Sequence, residues 1–350
     1  MEKLNAFRNP SLTRNVNPVA EPAKWKVVPI EGKGMGVVAT KIIRRGEMVM
    51  ANTASAVLDY STHQELTQED ILRLQALTVD SLPTYNRQTV LNQSTHYGVN
   101  LTHEQLVDRV IGINVFAIEM EHVINSEDTL VGVFPAIARL NHDCRPNTIY
   151  YFDDDRFTQF VYAARDIMPG EELSDSYIDI VQSQRQRARS LKNWGFKCSC
   201  AACTADQGTI RASDLRVEQI KSLSKELNNH GSDSRASPQM AELLISLVEQ
   251  EKMYEEMASA YRHAAVEWNG VGEPWTATKY AHLAIEFGLF TSGSGSEYVE
   301  DMRDLAEDPW GHSSWMRRTR TRQGWDQNIG SRGVKRMTLT QVDDDDDDNE

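Results

Sequence analysis

The chain has 350 residues, 40% of them hydrophobic and 25% charged, and a formal net charge of -14; that length accommodates one large or two modest domains. Seven of the negatives are the run Asp343–Asp348 with Glu350, which leaves -7 for the rest and argues against sequence-independent binding to DNA by the whole chain. No apolar run reaches the length of a bilayer span and the N-terminus has no signal-peptide core, so the expectation is an intracellular protein of nucleus or cytoplasm, with no membrane contact.

Residues 1–24 are polar, carry Pro10, Pro18 and Pro22, and read as a disordered N-terminal tail. From Trp25 the pattern turns β-like: Trp25–Ile30, then Val37–Ala39, then Met48–Ala51. The turn Gly32-Lys33-Gly34-Met35-Gly36 has glycines at alternate positions, which permit positive φ and a close approach of the backbone to a ligand. Taken alone it is a tight hairpin turn or a cofactor loop. Between about residues 60 and 122 the pattern is helical. Leu66, Ile71, Leu74 and Leu77 mark one candidate face, and Leu106, Val110 and Ile113 a second.

Next come Asn141-His142-Asp143-Cys144-Arg145-Pro146-Asn147, then a hairpin from Ile149 to Ala163 whose turn is Asp153–Asp155, and then Gly170-Glu171-Glu172-Leu173 and Ser176-Tyr177-Ile178-Asp179. The three acids of that turn are solvated, since a calcium loop needs a different spacing. Residues 181–193 predict a helix leading into Trp194-Gly195-Phe196-Lys197-Cys198-Ser199-Cys200-Ala201-Ala202-Cys203.

The four cysteines of the chain are Cys144, Cys198, Cys200 and Cys203. Zinc takes four tetrahedral ligands, commonly thiolates. The C-x-C-x-x-C loop supplies three, and Cys144 is the remaining cysteine to supply the fourth. The alternatives are two disulfides or four unrelated buried thiols; disulfides fit poorly in a chain of this size without secretory features.

Past Cys203 the pattern predicts helices near Asp214–Leu227, Pro238–Lys252, Tyr254–Trp268 and Pro274–Phe287. The last two form a hairpin resembling a tetratricopeptide unit. Ser292–Ser296 reads as a flexible linker. Residues 309–350 read as a disordered tail, first basic around Arg317–Arg322 and then acidic; the basic run is either a nuclear signal or a solvated stretch.

Taken together, the asparagine–histidine motif with Cys144, the Gly170–Leu173 motif with Tyr177, and the cysteine loop resemble the SET domain of protein lysine methyltransferases. Ser176–Asp179 resembles in particular the SET-and-MYND branch and its fungal relatives without the MYND finger; no cysteine precedes Cys144, so that finger is absent. The resemblance implies an α+β fold. Small β-sheets surround a knot-like crossing (a β-clip with a pseudoknot) over residues 25–180, with a helical insertion at about 60–122. A zinc-binding post-SET loop follows at 181–206, and a tetratricopeptide-like helical domain at 212–308.

The resemblance further implies transfer of a methyl group from S-adenosylmethionine to a lysine of a protein substrate, by one copy of the chain and without direct nucleic-acid binding. Lys33, Met35, Asn141, His142, Tyr177 and Phe196 would bind the cofactor. Tyr177 would be catalytic, and Phe116, Tyr177 and Trp194 would wall the lysine channel. Cys144, Cys198, Cys200 and Cys203 would hold one structural zinc, the ligand set already reached from the cysteine spacing. Asp143 and Trp194 depart from the usual serine and tyrosine. The competing expectations are a non-catalytic interaction protein of the same fold, and a methyltransferase acting on a small molecule.

Overall fold

Trp25–Ile30 (β1) and Gly34–Ala39 (β2) form an antiparallel hairpin, with Ile30 opposite Gly34 and Trp25 opposite Ala39. The computed structural model describes residues 23–61, 65–95, 100–120, 130–231 and 233–322. Of the tail expected at residues 1–24, residues 1–22 lie outside the described residues, as does the acidic terminus around Asp343–Asp348. After the hairpin come Met48–Thr53 (β3), Ala56–Asp59 (β4), three helices at Gln68–Asp80 (α1), Thr84–Leu91 (α2) and His103–Asn114 (α3), and the strands Val115–Ala117 (β5), Leu130–Val133 (β6), Asn141–His142 (β7), Thr148–Asp153 (β8), Thr158–Ala163 (β9) and Glu172–Asp175 (β10).

The strands make three small sheets, ordered β1-β2-β10-β7, β3-β9-β8 and β4-β6-β5. The first is the one that matters for chemistry. β10 pairs antiparallel with β2 and parallel with β7, with Ser174 opposite Asn141 and Asp175 opposite His142. A short central strand therefore brings the glycine turn, the asparagine–histidine motif and the Tyr177 segment to one place, although they are far apart in sequence. Buried Val37, Ile43, Val49, Phe134, Ile137, Leu140, Val161, Ile167 and Leu173 fill the space between the first two sheets. This burial of aliphatic surface is the main source of cohesion.

The insertion is helical as expected, but its faces differ from the pattern reading. Thr67 caps α1 by accepting from the Asp70 amide, and Thr102 and Gln105 form a reciprocal capping box on α3, so both helices begin where the side-chain chemistry favours a start. The buried positions of α1 are Ile71, Gln75, Ala76 and Val79, whereas Leu74 and Leu77 are 47% and 56% exposed. On α3, Val107 and Ile111 are buried beside Val110, while Leu106 and Ile113 are only half-buried. The cause is close approach: small Ala76 faces the Val107–Ile111 surface, so the bulky leucines that dominate a hydropathy reading fall on the outer side.

Downstream, the helices are Gln184–Ser190 (α4), Ala201–Thr204 (α5), Gln207–Leu227 (α6), Pro238–Glu251 (α7), Met257–Gly270 (α8), Pro274–Thr291 (α9), Glu297–Glu307 (α10) and Arg317–Arg322 (α11). Ser183 opens α4 with a second capping box, Asp206 caps α6, and Pro274 stands at the first turn of α9. The expected hairpin is α8 with α9, whose buried alanines 258, 260, 264, 265, 277, 281 and 284 let the two backbones pack closely.

Two readings of the C-terminal part are corrected. Ser292–Ser296 is a capped turn rather than a flexible linker: the Ser296 hydroxyl accepts from the Val299 amide to start α10, and the Arg303 guanidinium donates to the Ser294 carbonyl. The basic run is likewise not a solvated tail at its start. Arg318 is 5% exposed and donates through Nε and Nη2 to Glu267, itself 1% exposed.

Aromatic and ionic contacts fix the helical domain to the sheets. Phe290 stacks on Tyr162, which stacks on Tyr151, with ring centroids 5.6 and 6.1 Å apart. Gly46, at φ +75, leaves room for the Phe290 ring, which an added Cβ would meet at 2.6 Å. Arg145, beside the cysteine of the asparagine–histidine motif, donates to Glu251 at 2.7 Å; the same carboxylate accepts from Arg216 and Ser213, each at 2.6 Å.

A chain ended after Arg322 keeps every one of these contacts and should unfold at the same denaturant concentration as the full chain. Ending it after Gly311 removes Arg318 and leaves Glu267 buried without its partner. That loss should cost about 3–5 kcal/mol, readable as a lower urea midpoint.

Candidate functional site

The glycine turn is held down by one carboxylate. Glu172 on β10 pairs with Lys33 at 2.7 Å and accepts from Asn141 Nδ2 at 2.9 Å. The same Nδ2 reaches the Met35 carbonyl at 3.3 Å. Gly36 is required for this: an added Cβ would stand 2.6 Å from Asn141 Nδ2 and 2.7 Å from the Ile30 side chain. Next to it, Gly32 and Gly34 take positive φ with nothing within 4 Å of an added Cβ, and Met35 is 42% exposed. The turn is thus a hairpin turn whose tip is open.

His142 is the central side chain. Its Nδ1 accepts from the Tyr177 amide at 3.1 Å, which places the proton on Nε2, 3.3 Å from Cys144 Sγ. Burial, with Arg187 and Lys33 nearby, pushes its pKa down to about 4, so the ring is neutral. Both ring nitrogens are therefore engaged within the protein. Around it the aromatic side chains gather: Tyr177 and Phe196 rings lie 5.4 and 5.9 Å from His142, and Trp194 lies 4.8 Å from Tyr177. The Tyr177 hydroxyl donates to the Leu140 carbonyl at 2.7 Å. Burial, and then Asp175 and Glu172, push its pKa up; it stays protonated and serves as a donor.

The four cysteines converge. All are free, and their sulfurs lie within 4.8 Å of one another, with Cys144 and Cys203 3.5 Å apart. Residues 198–203 wrap one side, and Cys144 arrives from the buried loop after β7. A tetrahedral ion with bonds of about 2.3 Å places its sulfurs at such separations, so the donor set fits zinc. The thiols share their protons unevenly: hydrogen bonds with the other three, and then Arg187, push Cys203 down, whereas hydrogen bonds with the same group push Cys144 up. Arg187, 1% exposed, supplies a buried positive charge beside Cys144 and Cys203. Asp143 sits by the same cluster, pushed up to about 6 by burial and the Cys200 thiolate.

A second feature adjoins Tyr177. A cavity of ≈ 400 Å³ opens between the sheets and the helical domain, walled by Tyr150, the segment Asp175–Ile180, and Glu255 and Glu256 from the short 3-10 turn just before α8. Four carboxylates face it. Asp175 is buried and raised well above the usual range, and Glu256 is pushed up to about 7 by burial, then by Glu255 and Asp179.

Lys33, Met35, Asn141, His142, Tyr177, Trp194 and Phe196 are thus joined by contacts around β10, and the four cysteines make one cluster beside them. Phe116 stands one ring further back, edge-on to Phe134 and Tyr150 at 5.9 and 5.7 Å; it touches the cavity wall through Tyr150. Sequence reasoning missed Arg187, Glu251, Glu255 and Glu256. The first two looked like ordinary helix charges. The last two sit just before a helix, some 80 residues beyond Tyr177, and no local pattern ties them to it.

Residues 34–178 match the SET domain family. Among curated proteins, the chain is 28% identical over 207 residues to the histone-lysine N-methyltransferase set5 of Schizosaccharomyces pombe, covering 59% of this chain and 58% of that protein. It is 30% identical over 134 residues to the N-lysine methyltransferase SMYD2-B of Danio rerio, covering 36% of this chain and 30% of that one. To the protein-lysine N-trimethyltransferase SMYD5 of Mus musculus it is 39% identical over 79 residues, covering 21% and 19%. The chain therefore spans less than two thirds of the length of each of these relatives. Among the described residues no helix is long and apolar enough to cross a membrane.

Purified protein should carry about one zinc per chain, bound by thiolates alone. Cys200→Ser should lose it and release the loop carrying Phe196, because such sites contribute on the order of 10 kcal/mol of apparent free energy. Arg187→Gln should keep the four ligands yet give up zinc to a chelator faster, since the buried negative charge loses its compensation; metal analysis and chelator kinetics read both.

Proposed function

The chain carries a SET domain and is homologous to the SET5 and SMYD proteins, and from that premise we propose that it is a protein-lysine N-methyltransferase using S-adenosylmethionine, with one structural zinc. The observation that carries the reading is the position of Tyr177. Its ring packs into the cluster of His142, Trp194 and Phe196, while its segment walls the acidic cavity. The turn of Lys33 and Met35 flanks β10 through β2 on one side, and Asn141 flanks it through β7 on the other.

S-adenosylmethionine supplies a methyl group on a cationic sulfonium. The open glycine turn, the Asn141 side chain, the His142 backbone and the half-buried Phe196 ring are the groups that would hold it. Tyr177 is anchored by the Leu140 carbonyl, and His142 fixes its backbone amide, so its hydroxyl is pre-placed rather than recruited. Such pre-placement favours the transition state, because no reorganisation is needed when charge moves.

The carboxylates of Asp179, Glu255 and ionised Glu256 attract a lysine ammonium and the basic residues around it. Attack needs the neutral amine. Leaving the acids for the aromatic walls of Tyr177 and Trp194, beside a cation, lowers the proton affinity of the amine by desolvation and like-charge repulsion. No dedicated base is then required. A lysine-bearing protein segment is the substrate this lining suits, histone or other, and the name of the fission yeast relative directs the reading to the nucleus.

Tyr177→Phe should change cofactor affinity little and lower turnover about 100- to 1,000-fold, the usual loss for one pre-placed polar contact. Asn141→Ala should instead weaken cofactor binding by about 1–3 kcal/mol. Calorimetry and a methyl-transfer assay separate the two. Wild type that binds no S-adenosylmethionine would leave only an interaction protein.

The acids predict a pH effect with a definite sign. Glu256 is charged above about pH 7 and neutral below it. The affinity of wild type for a basic lysine peptide should therefore fall as pH drops from 8 to 6. Glu256→Gln should bind more weakly at pH 8 and lose most of that dependence, measured by fluorescence anisotropy at constant salt.

A further inference from the structure

A second polar cavity lies within the helical domain, away from the cysteine cluster and Tyr177. It measures ≈ 40 Å³ and is lined by Arg262, His263, Asp301, His312 and Arg317, with His230 at its exposed mouth. That volume is several times what one water needs. It is enough for a single compact ion and too small for a nucleoside.

The groups around it are mostly donors. Asp301 is the one acid in the lining, and it is already used: Arg262 lies 3.2 Å from it, and His312 Nε2 3.1 Å. Glu267, the other carboxylate close by, is taken up by Arg318. Arg317 has no carboxylate partner among the described residues, and its Nε is buried with no acceptor. His263 is 5% exposed, and no hydrogen bond to its ring is found among the described residues. Arg317 Nε is thus a buried donor without an acceptor beside one small cavity, which folded proteins seldom tolerate unless something else accepts from it.

The charge balance points the same way. Arg262 and Arg317 against Asp301 leave the lining positive, in a chain whose net charge is -14. The field is felt by the imidazoles: burial, then Arg262 and His230, push His263 down to about 4, and burial with Arg317 and Arg318 lowers His230. Guanidinium groups with fixed N–H directions and adjacent ring nitrogens suit an acceptor that offers several oxygens at once.

We infer that this cavity binds a phosphate-class oxyanion, held by Arg317, Arg262 and His263. The chemistry is shared by free inorganic phosphate and by a phosphomonoester carried on a serine or threonine, whose head group would enter through the mouth at His230. The site is independent of methyl transfer, since none of its residues touches the SET site.

The test uses the full chain with inorganic phosphate in one arm and O-phosphoserine in the other, against chloride of equal ionic strength. Saturable heat on titration, and a thermal midpoint that rises with phosphate but not with chloride, are the expected results. Tighter binding of O-phosphoserine identifies the ester as the ligand, and tighter binding of phosphate the free ion.

Arg317→Gln leaves the Arg318–Glu267 pair intact and should weaken binding about tenfold or more, the scale of a lost charge-assisted contact. Because a variant can misfold, wild type labelled on its histidine rings gives a second reading, with the His263 and His230 signals moving on addition of phosphate. An absence of saturable binding together with unmoved histidine signals would overturn the inference, as would undiminished affinity in a folded Arg317→Gln protein.

Discussion

Cys144 is where the structure is tied. Its sulfur belongs to the thiolate cluster, its neighbour Arg145 reaches into the helical domain through Glu251, and the imidazole two residues before it holds the Tyr177 amide. Three distances that would otherwise vary independently are set by one short loop. The cluster places the Phe196 loop, the ion pair places the helices, and the imidazole places the tyrosine. Burial makes each of these contacts costly to break: Cys144 is 0% exposed, His142 4% and Glu251 6%, so a lost partner would leave a polar or charged group with no water to replace it.

The helical domain is part of the working unit rather than an appendage. It supplies two of the four carboxylates of the cavity beside Tyr177, and its contacts with the sheets combine aromatic stacking with a buried carboxylate shared by two arginines. Stacked rings resist sliding, and the shared carboxylate has a fixed geometry. The cavity therefore keeps its shape only while both halves remain docked.

The sheets and the cysteine cluster were legible in the sequence because their signals are short and local. Strand alternation, the glycine turn and the C-x-C-x-x-C spacing each lie within a few residues. The outward face of α1 was not legible. Leu74 and Leu77 satisfy a helical period as well as Ile71 and Val79 do, and only the proximity of α3 selects the smaller side chains for burial. Arg318 illustrates the same limit. Within Arg317–Arg322 nothing in the sequence marks Arg318 for its buried ion pair, since its partner Glu267 lies 51 residues earlier. The resemblance to the SET domain brought Asn141, His142 and Tyr177 forward together, yet the use of both His142 nitrogens, one on Tyr177 and one toward Cys144, is visible only in three dimensions.

The mixed ownership of the acidic cavity bears on how such a protein can change over time. In the proposed methyltransferase, the residues placed at the reacting groups, Tyr177 and Asn141, belong to the sheets and the segment just after β10, and a substitution there would affect the reaction for every substrate. Glu255 and Glu256 reside in the short turn before a helix whose own positions are occupied with packing. If the acidic cavity receives the substrate as proposed, exchanging those two charges would redirect the preference for flanking sequence while leaving the reacting groups in place. Partner choice and chemistry are thereby inherited on separate stretches of chain, and descendants of a common ancestor can diverge in what they recognise without passing through an inactive form.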